Sequence, residues 1–272
     1  RLIMKSDFFS LTALYTKMIF RSWFQYKVDA ILRSFAVFMR EATAIIVIYF
    51  TLLKFDSLNG WNIYEMLFLF SLVYVTYGIL IIFFTGLRDF GQTVRTGGFD
   101  RYLLRPRGVL YQLIFSNADW FAAVGHGGLG ILLFILSAAK IGVVWTPLRI
   151  VYYVFTIAGG VLIQGAIFLF LATLNIYLLE TNALKEVFYW NMRKFAGYPI
   201  SIFHKAIQFC MTFIVPFAFV NYFPAQFLLR KDDMSCYPSF FMYITPLVGL
   251  VMYILAYLFW NYSIKYYKSS GN

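Results

Sequence analysis

Charge is what this sequence has least of. Asp, Glu, Lys and Arg make up 13% of its 272 residues, whereas a soluble domain typically carries about 25%. Too little polar surface remains to coat a globule of this size. Cysteine and histidine are nearly absent as well. Cys210, Cys236, His126 and His204 are the full complement, with no C-x-x-C and no Cys/His cluster, so neither a disulfide framework nor a zinc site is supported. The chain contains no G-x-x-x-x-G-K-[ST], H-E-x-x-H or G-x-S-x-G. It therefore lacks a phosphate cradle of its own and the usual hydrolytic constellations. No catalytic, cofactor-binding or metal-ligating residue is expected.

Apolar residues take that place: 61% hydrophobic, 22% aromatic, with a mean hydropathy of +0.73. Runs of about 20 apolar residues are long enough to cross a bilayer as helices. Six such runs occur, at 34–53, 61–86, 118–139, 150–179, 206–223 and 240–261. They are apolar all round and far longer than the ~10-residue alternating strands of a membrane barrel. The reading is a single all-α integral membrane domain over 1–272. The run at 150–179 is charge-free for about 45 Å of helix at 1.5 Å per residue, more than the ~30 Å hydrocarbon layer, so it tilts or projects.

The net charge of +11 would raise nucleic acid as a partner in a soluble protein. Here the cations lie between apolar runs, where topology explains them and nucleic acid is not expected. With both termini cytoplasmic, seventeen lysines and arginines fall inside and five outside, Arg40 lying within the first run; this is the positive-inside bias. The N-terminal region 1–33 reads as an interfacial helix, with Lys17 and Arg21 on one face and Trp23 nearby. Its first apolar stretch is interrupted by those two cations and has no A-x-A site, unlike a cleaved signal peptide. The chain opens at Arg1, and Met4 is a candidate natural start.

Some features tempt without carrying chemistry. "GHGGLG" at 125–130 matches a dinucleotide fingerprint in letters only. Inside an uncharged apolar run, its small residues are expected to let a neighbouring helix approach, with Gly127 and Gly128 as contact points. Arg40, Glu41, Glu65 and Asp119 are ionisable residues near or within spans. Anchoring and capping are expected of all four, Asp119 offsetting the dipole of the third run and Glu41 facing the bundle. His126 and His204 read as structural.

The stretch "GGFDRYLLRPRG" at 97–108 is different. Glycines and Pro106 bracket a short helical segment, and it holds Arg101, Arg105 and Arg107 beside Phe99, Asp100, Tyr102, Leu103 and Leu104. Two readings fit equally: a basic loop on anionic lipid, or a plug for an acidic-rimmed cleft on a partner.

With this island after the second run, and with "FYWNMRKFAGYPISIFHKAIQFCMTFIVPFAFVNYFPAQFLL" at 188–229, nearly the whole chain resembles the permease subunits of ABC-2-type exporters, specifically a bacterial branch of ABC-2 permeases. The resemblance implies a type V exporter-like fold: an interfacial helix and six transmembrane helices over 34–261, N-in and C-in. It implies a cytoplasmic coupling segment at 87–110, with Phe99, Asp100, Arg101, Tyr102, Leu103, Leu104, Arg105 and Arg107 docking on an ATPase. It also implies an outer re-entrant segment at 224–239, with Phe227, Leu228 and Leu229 dipping into the outer leaflet. Two ABC ATPase subunits, a second permease copy or paralogue, and membrane lipids are the implied partners. ATP and Mg would be held by the ATPases and no cofactor by this chain, in a bacterial cytoplasmic membrane. The competing classes are an ion-coupled secondary carrier, which needs a mid-membrane carboxylate and inverted repeats, and an integral membrane lipid-modifying enzyme, which needs an interfacial nucleophile or metal cluster.

Overall fold

The computed structural model describes residues 14, 17, 18, 21, 27–54, 57–178, 180–234 and 237–267. Lys17 and Arg21 are helical and exposed, whereas Trp23 and most of the expected interfacial helix lie outside the described residues.

The order of elements is α1 (Lys27–Lys54), α2 (Ile63–Arg88), α3 (Phe90–Arg95), α4 (Asp100–Leu103), α5 (Val109–Ser116), α6 (Trp120–Ile141), α7 (Pro147–Leu174), α8 (residues 182–195), α9 (Lys205–Ile214), α10 (Phe217–Leu229) and α11 (Thr245–Ser263). Among the described residues there is no β-strand, only an isolated bridge between Leu58 and Trp61. Four stretches are long and apolar enough to cross a membrane: Ile63–Arg95, Trp120–Ile141, Pro147–Leu174 and Thr245–Tyr266. They match the expected runs at 61–86, 118–139, 150–179 and 240–261.

α2 is the hub. Its N-terminus is set by a capping box in which the Asn62 side chain accepts from the Glu65 amide and the Glu65 carboxylate accepts from the Asn62 amide, satisfying two orphan donors at once. Beyond that it is apolar on every side and buried along most of its length, as expected of a helix surrounded by others. α6 lies against it at backbone distance. A Cβ on Gly130 would sit 2.6 Å from the Val75 nitrogen, and one on Gly78 would sit 2.6 Å from the Gly127 Cα. A Cβ on Gly125 would stand 2.8 Å from the Ser34 carbonyl of α1. The small-residue face expected from "GHGGLG" is present, carried by Gly125 and Gly130 and by Gly127 where Gly78 meets it. Gly128 faces open space, with nothing within 4 Å of a Cβ built there, and a Cβ on Gly127 would meet only the Gly78 Cα, at 3.7 Å.

The structure differs from the sequence reading after α7. Residues 206–223, expected as one straight crossing, are divided between α9 and α10, which meet at a 76° bend. Pro216 stands at the break, where it removes a helix hydrogen bond. A different segment runs the length of α2 instead. Lys185 donates to the Arg88 carbonyl (2.9 Å), Tyr189 and Trp190 pack on Tyr77, Arg193 lies over Tyr77 and Tyr74, Gly197 abuts the Phe70 ring, and Ser201 reaches Asp233 beside Trp61. The partners on α2 fall steadily from 88 to 70 as this segment rises from 185 to 197, so α8 and its continuation are antiparallel to α2. α8 contains a π-helical stretch, Glu186–Asn191.

The bent pair then fills the space beside α7. Phe217 meets Tyr189, Val220 approaches Gly160, and the Asn221 amide donates to the Ala196 carbonyl. Phe227 packs on Tyr152, near the start of α7, at 4.6 Å between ring centroids. Both ends of the pair thus emerge at the α2 N-terminal end of the bundle, as a bent hairpin that begins well before the expected outer segment at 224–239.

Substituting Gly130 or Gly78 by alanine is expected to lower stability by about 1–3 kcal/mol, the usual cost of overpacking a tight core. Gly128→Leu is expected to leave it unchanged. Thermal unfolding of the detergent-purified variants measures both.

Candidate functional site

Two places in the bundle concentrate polar chemistry. The first is the basic loop that follows α2. α3, a glycine turn through Gly97 (φ +66°) and α4 bring the chain back to α5. Phe99 is fully buried in an aromatic cluster with Phe90 (4.8 Å), Trp260 (6.5 Å) and Tyr267 (4.7 Å). Asp100 accepts from the Tyr267 hydroxyl at 3.0 Å. The Gln112 amide donates to the Tyr102 and Arg107 carbonyls, and Asn117 donates to the Tyr102 hydroxyl. These bonds hold the loop as a rigid body on α5 and α11.

Phe99, expected to enter a partner's cleft, is therefore an internal anchor. The outward surface is Arg101, Leu103, Leu104 and Arg105, all exposed, Leu104 at 86%. Arg105 also stands over the Tyr102 ring (5.8 Å). Near the same end, Arg33 of α1 pairs with Asp119 at 2.8 Å. Asp119 caps α6 by accepting from the Ala122 amide, as its position before the third run predicts.

The second place lies inside the bundle, where sequence reasoning expected only anchoring. Glu41 of α1 stands 2.9 Å from Arg40, 3.6 Å from Arg193 of α8 and 3.7 Å from His126 of α6. The Arg193 guanidinium lies 4.2 Å from the Tyr77 ring centroid, 5.1 Å from Tyr74 and 6.0 Å from Trp190, so aromatic faces and one carboxylate share its charge. Beneath it a hydrogen-bond chain crosses three helices: Tyr189 hydroxyl to Gln164 (2.7 Å), Gln164 amide to Thr76 (2.8 Å), and Thr76 hydroxyl to the Leu72 carbonyl (2.7 Å). Glu41 is eight residues beyond Arg33, about 12 Å along the helix. It is thus well inside the bundle rather than at its edge. A cavity of about 630 Å³ opens on this cluster, between α1 and α8.

At the far end, Glu65 pairs with Lys231 at 2.8 Å, Lys231 also donates to the Gly60 carbonyl, and Trp61 and Ser201 both donate to Asp233. Phe227 stacks on Tyr152 beneath Arg149, and Leu228 is buried. The end of α10 is therefore packed against α7.

Glu186, Arg193 and Lys194 interrupt the apolar pattern between the runs at 150–179 and 206–223, so by hydropathy alone Arg193 falls in the loop that joins them. A signal existed in "YWNMRK": aromatics adjoining a cation are the composition of a cation–π box.

A family model described as an ABC-2 family transporter protein matches residues 38–271. No curated protein and no solved structure matches the chain.

Phe99→Ala is expected to cost about 3–5 kcal/mol, as for other fully buried aromatics, and to lower the melting temperature of the isolated protein. Leu104→Ala, at an exposed position, is expected to leave it within error.

Proposed function

Because the chain belongs to the ABC-2 transporter family, we propose that it is the membrane-spanning permease of an ATP-driven exporter. Its ATP chemistry resides on two separate ABC ATPase subunits, which hold ATP and Mg. It works beside a second permease, identical or related, in a bacterial cytoplasmic membrane. The observation that carries this reading is the match over residues 38–271 on a bundle whose basic loop is exposed at its tip and rigid at its base.

Six crossings are assigned to α1, α2, α6, α7, α8 and α11, with α9 and α10 as a hairpin entering from the outer side. α1 spans 28 residues, about 42 Å of helix, enough to cross. With Arg193 and Lys194 moved into a crossing and Lys205 moved outside, the balance of lysine and arginine is fourteen inside against six outside. The N-in, C-in orientation therefore stands.

In the proposed cycle, ATP binding closes the motor dimer and displaces the surface formed by Arg101, Leu103, Leu104 and Arg105. Phe99 and Asp100 pass that displacement to α11 through Trp260 and Tyr267. The face of α1 and α8 bearing Arg40, Glu186 and Lys194 lines the route between the two permeases, since charged side chains at that depth are costly against lipid tails. Net export requires that cargo bind the two states with different affinity.

An ion-coupled carrier is the second reading, favoured by one observation: the Glu41 carboxylate within the bundle. Its pairing with two arginines suits a fixed counter-ion better than a proton carrier.

The test is purification of the tagged protein from its native host in mild detergent, with identification of what accompanies it. A stoichiometric Walker-motif ATPase is expected. An ATPase-free preparation that transports after reconstitution would reject the exporter in favour of the carrier. Within the complex, Leu104→Asp combined with Arg105→Glu is expected to abolish ATPase association while the melting temperature of the isolated permease stays unchanged.

A further inference from the structure

We propose that the cavity between α1 and α8 receives the acidic head group of an anionic amphiphile, a phosphate or carboxylate carried on an apolar tail, and that this is the class of cargo. Calling the ligand a cargo rests on the exporter reading; that the site binds it does not.

Arg193 is the first reason. Its side chain is nine-tenths buried, yet Nε and Nη2 have no hydrogen-bond acceptor among the described residues. Glu41, at 3.6 Å, balances the charge from beyond hydrogen-bond distance. The rings of Tyr74, Tyr77 and Trp190 stabilise a cation but accept poorly from N–H groups. Leaving buried donors unmet is costly, and a guanidinium is built to bind carboxylate or phosphate oxygens in pairs.

The charge balance is the second. Arg40, Arg193 and Lys194 border the cavity against two carboxylates, Glu41 and Glu186, one positive charge in excess. The Arg40 and Lys194 side chains are 68% and 70% exposed. Lys194 is paired with Glu186 at 3.4 Å, whereas Arg40 (2.9 Å) and Arg193 (3.6 Å) share the one carboxylate of Glu41, at a depth where neither lipid tails nor a second copy of the same face would supply the missing negative charge. An anion would.

The third reason is the rest of the wall. Val47, Phe70, Val73, Trp190 and Tyr198 complete it, and about 630 Å³ is room for a drug-sized ligand, far more than a free inorganic anion fills. The polar corner matches a head group and the apolar wall matches the start of a tail. Glu41 occupies the place an acidic head group would compete for, so removing its charge should favour the ligand.

The experiment is equilibrium binding of radiolabelled lysophosphatidic acid to the purified full chain in neutral maltoside detergent. Lysophosphatidylcholine and inorganic phosphate serve as competitors. Saturable binding is expected, with the choline ester about tenfold or more weaker and inorganic phosphate failing to displace it. Arg193→Gln should weaken binding by about tenfold and Glu41→Gln should strengthen it, a gain that a merely structural role would not produce. Arg40→Gln and Lys194→Gln, at exposed side chains that do not hold the fold, should each weaken it several-fold. They decide the matter if Arg193→Gln does not fold.

Equal competition by the choline ester, or undiminished binding in the Arg40 and Lys194 variants, would overturn the proposal. Full displacement by inorganic phosphate would also overturn it, in favour of a site for small anions. Because no ATPase is needed, a failure here leaves the co-purification result, and the exporter reading, untouched.

Discussion

One buried cation fixes the course of the chain after α7. An arginine facing lipid tails is costly, and Arg193 avoids that cost only in the groove where Tyr74, Tyr77 and Trp190 offer ring faces and Glu41 offers a carboxylate. Placing Arg193 there forces α8 against α2, in the direction set by Lys185 at one end and Gly197 at the other. The π-helical stretch Glu186–Asn191 widens the helix where Tyr189 must reach Gln164 while Trp190 reaches Tyr77. A π turn inside a helix often marks such a functional compromise. Once α8 is seated, α9 and α10 are left the space beside α7, and Pro216 turns them back.

The sequence disclosed those crossings that need no partner to be recognised. α2, α6, α7 and α11 read as unbroken apolar runs because hydrophobicity alone places them, and their boundaries differ from expectation by a few residues. α7 ends at Leu174 rather than near 179 because the Asn175 side chain turns back to the Leu171 carbonyl and is met by Thr181, a polar stop that a hydropathy profile averages away. α8 was hidden for the opposite reason. Lys185 and Arg193 are met by α2 and α1, far away in sequence, and Lys194 by Glu186 within α8 itself, so its local composition resembles a loop. The bend within 206–223 was not legible because apolar content does not reveal direction, although Pro216 marked its place. At the glycines, composition disclosed the close contact but not its register: Gly125 and Gly130 face neighbours while Gly128 does not.

The basic loop shows the same limit. Its residue types were legible as an exposed island, yet which aromatic points inward is decided by Trp260 and Tyr267, more than 150 positions away in the chain. The consequence is mechanical. A loop whose hydrophobic side chains all faced a partner would be loosely held in its own protein and would absorb a push by bending. Phe99 is instead locked between Phe90 and Tyr267, and Asp100 is tied to the Tyr267 hydroxyl.

That rigidity links the loop to the buried cluster. α3 follows α2 after a single residue, Asp89, so a displacement of the loop acts along α2, the helix that carries Tyr74, Tyr77 and Thr76. Lys185 holds the start of α8 to the end of α2 through the Arg88 carbonyl, and Arg95 lies 3.6 Å from Glu180 just before α8. A push on the loop therefore reaches both walls of the Arg193 site, α2 directly and α8 through these two contacts. α1 is tied to α6 through Arg33, Asp119 and Gly125. Relative movement of α1 against α2 and α8 would change the distance from Glu41 to Arg193. Under the proposed exporter reading, opening that ion pair is the local event by which a motor docked at one end of the bundle alters the affinity of a charged site inside it.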